Sequence, residues 1–95
     1  MNLTFEWDPR KDRTNLEKHG ISFSEAIAVF DDPLARIFAD EDHSADERRE
    51  IIVGHSHAKR LLLVCFTEPD QGRLRIISAR RATRKERHDY EDYLR

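Results

Sequence analysis

The chain has 95 residues and a mass of 11.3 kDa, with 38% hydrophobic and 38% charged residues. That suits one small domain with a thin core and an ionic surface, and it excludes a large cofactor-binding fold. Net charge is −2 but unevenly spread: Asp31 to Glu50 holds eight acidic and three basic residues, Arg73 to Arg87 seven basic and one acidic, and the second block is dense enough to bind an anion.

No apolar stretch approaches the roughly 20 residues of a membrane span, and Met1-Asn2-Leu3-Thr4-Phe5-Glu6 lacks the basic flank and apolar segment of an export signal. Neither insertion nor export is expected. The lone Cys65, inside the apolar run Leu61 to Phe66, excludes an internal disulfide and predicts a buried thiol in a reducing cytoplasm.

In chain order, Leu3-Thr4-Phe5-Glu6-Trp7 alternates as a short strand with Leu3, Phe5 and Trp7 on one face. Asp8 is placed to cap a helix and Pro9 to open it, so a helix over Pro9 to Lys18 follows, with Gly20 as its left-handed stop. Leu16 is its only strong apolar residue, so the helix is mostly solvated. Ser22-Phe23-Ser24-Glu25 has capping-box spacing and opens a second helix, ended by Asp31-Asp32-Pro33, whose stripe of Phe23, Ala26, Ile27 and Phe30 should face a sheet. Strands are predicted at Leu34 to Ala39, Glu50 to Gly54, Leu61 to Thr67 and Arg73 to Arg80, the last two forming a hairpin.

Leu61 to Phe66 is apolar on both faces, which predicts a central strand. Strict alternation in the next strand puts Leu74, Ile76, Ser78 and Arg80 on one face and Arg75, Ile77, Ala79 and Arg81 on the other. All three glycines and all three prolines are expected at element ends. Thr83-Arg84-Lys85-Glu86 is a second capping box, opening a last helix to about Tyr93. Its stripe of Tyr90, Tyr93 and Leu94 is weak, which predicts loose docking or completion by a partner. Phe23, Ile27, Phe30, Leu63, Val64 and Ile76 are the expected core.

The block Arg80 to Arg87 concentrates guanidinium groups at a strand end and a helix N-terminus, both favourable places for phosphate. An ordinary solvated basic helix is the competing reading. Glu86 is the one base within the block, and its spacing equally fits a capping role. His55 and His57 have the spacing of a metal pair but no Cys or third ligand nearby, so exposure at a turn is expected instead. Asp40-Glu41-Asp42 reads as a solvated turn rather than a cation site. His19 closes a helix, where partial positive charge suits the carbonyl end, and His43 and His88 are expected to be exposed. No Gly-rich phosphate loop or nucleophile elbow is present in the sequence.

Several segments taken together resemble a known family. These are Phe5-Glu6-Trp7-Asp8, Lys11, Asn15, Lys18-His19-Gly20, Ser22 to Ala26 with Val29-Phe30, Asp32-Pro33, and Glu47-Arg48. They continue with Ile52, Gly54, the Val64-Phe66-Thr67 strand, Arg75 to Thr83, Glu86-Arg87 and Tyr90. Their order and spacing resemble the BrnT family of bacterial toxins, relatives of the RelE-like ribonucleases of type II toxin–antitoxin systems.

The resemblance implies one toxin domain over the whole chain with an α+β, RelE-like fold: two N-terminal helices packed on a largely antiparallel sheet, joined by the C-terminal helix read above. It implies RNA cleavage that blocks translation, without metal or cofactor, and a BrnA-like antitoxin partner in a 2:2 assembly. On this reading the catalytic candidates are Arg80 and Arg84, Glu86 as proton acceptor, His55 as reserve base, and Arg48 from a neighbouring strand. Arg75, Arg81, Lys85 and Arg87 are RNA-binding candidates, and Tyr90, Tyr93 and Leu94 antitoxin contacts. The alternatives are a noncatalytic nucleic-acid-binding module and a protein-interaction domain whose basic block pairs with an acidic partner.

Overall fold

The computed structural model describes residues 2–43 and 47–94; the side chain of His43, expected to be exposed, lies outside that description. Asp8 caps α1 (Pro9–His19) by accepting from the Arg10 N–H at 2.8 Å, and Gly20 ends it at φ 71°, donating to Leu16 O. The next helix begins with half of the expected box: Ser22 Oγ accepts from the Glu25 N–H, but the Glu25 carboxylate turns to Arg60 and Ser56 instead of back to the cap. A charged partner outcompetes a neutral backbone donor. This α2 (Phe23–Ala26) is only four residues long before the chain tightens into a 3-10 turn over Ile27–Asp31.

Among the described residues five strands form one sheet: β1 (Thr4–Glu6), β2 (Arg36–Ala39), β3 (Glu50–His55), β4 (Leu61–Asp70) and β5 (Arg73–Arg81). The order is β1-β5-β4-β3-β2, antiparallel except for the β1–β5 pair. The fold is α+β and β4 is central, as its two apolar faces require. One face of the sheet receives Ile21, Phe23, Ala26 and Val29 against Ile52, Leu62, Val64, Phe66, Leu74, Ile76 and Ala79. The other carries Val53, Leu61 and Leu63, covered by Tyr90 of α3 (Arg84–Tyr93). Leu63 therefore belongs to a second, smaller cluster, and Ile27 and Phe30 pack on the main core only half-buried.

Three local expectations give way to packing. Gly54 lies within β3, because a Cβ there would meet the Ala35 Cβ at 2.9 Å and Val29 Cγ1 at 3.0 Å. Pro69 lies within the outer extension of β4. Strict alternation fails in β5: an irregularity opposite Cys65/Phe66 pairs Ile76 with Phe66 but Ser78 with Cys65, so Ile76 and Ala79 both enter the main core. One inserted residue thus sends Arg80 to the α3 side of the sheet and Arg81 to the opposite side.

Beyond Arg75, β5 has no further β1 residue to pair with. The buried Asn15 of α1 takes that place. Its Nδ2 donates to Ala79 O and Ile21 O, both at 2.8 Å, and its Oδ1 accepts from the Ala79 N–H at 3.1 Å. A side-chain amide substitutes for a missing strand and pins α1 against β5.

Candidate active site

The end of α1, the start of β3 and the end of β5 converge on an open groove. At one end Arg10, Lys11, Thr14 and Lys18, recurring at helical spacing on α1, face Ile77, Ser78 and Arg49 across a cavity of about 440 Å³. A second cavity of about 280 Å³ runs on across the α3 side of the sheet, where Arg80, Cys65 and Asp40 join its wall. His19, Arg49 and Ser78 line both, which makes the two cavities one groove.

Arg80 is held in a two-point ion pair. Nη1 donates to Glu86 Oε1 at 2.7 Å and Nη2 to Oε2 at 2.8 Å, while the Thr83 N–H also donates to Oε1 at 2.8 Å. Both halves of the Thr83–Glu86 capping box are formed, so the residue that starts α3 also aims Arg80. The Arg80 guanidinium, opposed by the cost of burial and aided by the Thr83 N–H, holds the Glu86 carboxyl down to about 2. A base that weak and fully engaged is a poor proton acceptor near neutrality. Cys65, expected to be buried, is half-exposed on the groove wall; burial and the Asp40 carboxylate 3.9 Å away push its thiol up, which keeps it protonated.

The basic block is dispersed rather than gathered. Arg75 is paired with Glu6 at 2.9 Å on the β1 side, and Arg81 is exposed on the side of the sheet bearing α2 and Glu25. Arg84, Lys85 and Arg87 are exposed on α3, and Lys85 pairs with Asp89 at 3.0 Å. Arg48 is exposed ahead of β3, beside the groove-lining Arg49. His55 lies at the other end of β3, its Nδ1 3.5 Å from Asp32 Oδ2 and its ring edge-on to Tyr90 at 5.7 Å. Tyr90 is buried and its hydroxyl donates to Leu34 O, so α3 is firmly docked; Tyr93 and Leu94 remain exposed. Of the candidates, Arg80 with its partner Glu86 is brought to the groove.

The family model for the ribonuclease toxin BrnT of type II toxin–antitoxin systems matches residues 7–86. The chain belongs to the BrnT family. A crystal structure of the Brucella abortus ribonuclease toxin BrnT superposes with a TM-score of 0.68 at 26% identity, covering 87% of this chain and 100% of that one. A comparison with curated proteins returned no match.

BrnT toxins are ribonuclease toxins that work with an antitoxin, and the matched segment contains every residue lining the groove. The sequence reading missed Arg49, His19 and the α1 stripe. Lys11, Thr14, Asn15 and Lys18 share one helical face, which was legible as a pattern, but it reads the same for a solvated helix. Only the Asn15 bonds to β5 show that this face looks onto a groove.

Proposed function

We propose that this BrnT chain is a metal-independent endoribonuclease that cuts RNA laid along the groove and thereby blocks translation. The observation that carries the reading is Arg80, fixed by both Glu86 oxygens within a wall that also holds Arg49 and His19. Arg10, Lys11 and Lys18 track the phosphate backbone toward this point, and Arg84, Lys85 and Arg87 extend the positive surface along α3. The substrate supplies its own nucleophile: the 2′-hydroxyl oxygen bonds to the adjacent phosphorus as the bond to the 5′ oxygen breaks, leaving a cyclic phosphate and a 5′-hydroxyl. Arg80 and Arg49 neutralise the charge that grows on the phosphorane oxygens. Glu86 is the residue that positions Arg80.

A BrnA-like antitoxin in a 2:2 assembly neutralises the toxin by covering the groove and gripping the apolar ground beside it. There Tyr93 and Phe38, both exposed, line a cavity of about 230 Å³, with Leu94 exposed next to them. Hydrogen exchange around residues 80–94 should slow in the complex; identical exchange in free and bound toxin contradicts this placement.

The test of the activity is incubation of the purified chain with RNA in excess chelator, with product ends read by mass spectrometry. Cyclic phosphate and 5′-hydroxyl ends are expected, and Arg80→Ala should slow cleavage by about 10²-fold or more. Absence of cleavage, or cleavage that chelation abolishes, overturns the reading; full activity in a folded Arg80→Ala protein removes Arg80 from it.

A further inference from the structure

We propose that His19 is the general acid of the cleavage, the group that protonates the departing 5′ oxygen; this rests on the ribonuclease reading above and adds a catalytic residue to it. His19 is the last residue of α1 and lines both parts of the groove, with Arg80 on the same wall in one and the α1 stripe beside it in the other. Its position is built in. The helix carrying it is pinned to β5 by the bonds of Asn15 to Ala79, the residue before Arg80, and the residue after His19, Gly20, offers its carbonyl to Arg60 at 3.2 Å.

The carboxylate and the turn histidines singled out from the sequence are committed elsewhere. Glu86 is occupied by Arg80 and Thr83, His55 by Asp32 and Tyr90, and His57 lies 3.3 Å from Asp31. Guanidinium groups do not release protons. The His19 side chain is exposed and makes no hydrogen bond or ion pair with any of the described residues. Its place in the last helical turn sets an imidazolium beside the carbonyl end of α1, a favourable pairing. A bound phosphate adds a second favourable charge.

In the step itself the O2′–P bond forms and the P–O5′ bond breaks with its electron pair leaving on O5′. The imidazolium delivers its proton to that oxygen, the 2′-hydroxyl proton passes to solvent, and solvent reprotonates the imidazole before the next turnover. Imidazole is suited to this exchange because its ring nitrogens both donate and accept a proton.

The experiment compares wild type, Arg80→Ala and His19→Ala under single-turnover conditions on two substrates: ordinary RNA, and the same RNA with sulfur replacing the bridging 5′ oxygen at the cleavage site. A thiolate departs without protonation. His19→Ala should cleave ordinary RNA about 10² to 10⁴-fold more slowly, the usual range for losing a proton donor. It should cleave the sulfur substrate at close to the wild-type rate and bind a 2′-O-methyl RNA within about threefold of wild type, since only transition-state stabilisation is lost. Arg80→Ala should stay slow on both substrates. The proposal is overturned if His19→Ala cleaves ordinary RNA normally, if it is equally slow on the sulfur substrate, or if 2′-O-methyl RNA binding falls in step with cleavage. Failure of wild type to cut any RNA overturns it together with the ribonuclease reading, whereas a defect in Arg80→Ala alone overturns only the role of His19.

Discussion

Glu86 joins folding to activity through a single carboxylate. One oxygen accepts from the Thr83 N–H that starts α3, and both accept from Arg80. Its carboxyl is held near about 2 against an ordinary 4.5, so ionised Glu86 stabilises the folded chain. The direction is fixed by linkage: the contribution is complete above about pH 4.5 and disappears as pH falls toward about 2. Partial exposure of both partners limits it to about 1 kcal/mol. Glu86→Gln should therefore melt below wild type at neutral pH, with the gap constant down to about pH 4.5 and narrowing from there toward about pH 2. Thermal melts across that range check it; a gap that stays constant or widens over the last interval contradicts the role given to this pair. Cleavage by Glu86→Gln should fall as well, because the same change releases Arg80.

Helix α1 has almost no apolar face of its own, and Asn15 is what fixes it to the sheet. Asn15→Ala leaves the Ala79 N–H and C=O and the Ile21 C=O without this partner, at about 1 to 3 kcal/mol for each buried group that stays unpaired. Melting should fall accordingly, and cleavage should drop even at temperatures where the variant is fully folded, because the end of α1 moves relative to Arg80. Unfolding curves and single-turnover rates on the same preparation check both; normal cleavage in a destabilised variant confines Asn15 to stability. The caps of α1 and α3 and the central place of β4 were legible in the sequence because each depends on neighbours within a few residues or on one apolar run. The β5 irregularity, the glycine inside β3 and the parallel β1–β5 pair were not, since each is set by what lies opposite in space. Arg80 was legible as a strong anion-binding side chain, and alternation already parted it from Arg81, but its place on the α3 face, opposite that of Ile76, follows from a register shift that the pattern of residues 73–81 does not reveal. Arg49 reaches the groove only because β3 runs beside β4, a long-range fact.

Over the whole molecule a net charge of −2 coexists with a positive groove. The acidic residues concentrate between Asp31 and Glu50, and five of the basic residues line the two cavities described above: Arg10, Lys11, Lys18, Arg49 and Arg80. Such a clustering of cations steers a polyanion to one region while total charge remains low. It also gives an antitoxin a compact target, since one covering segment can occlude the groove and the apolar ground around Phe38 and Tyr93 together. The groove cations and those on α3 are given different roles in this account, stabilising the transition state and holding the RNA backbone. The decisive measurement is single-turnover RNA cleavage by two multiple variants of equal charge change, Arg49→Ala with Arg80→Ala and, separately, Arg84→Ala with Arg87→Ala, each first shown to be folded. The groove pair should lose at least about 10²-fold in rate, as expected for removed transition-state charge stabilisation, and the α3 pair only a few-fold through weakened phosphate contacts. A groove pair that cleaves at the wild-type rate while the α3 pair is inactive would place the reaction on the outer face of α3 and contradict this account.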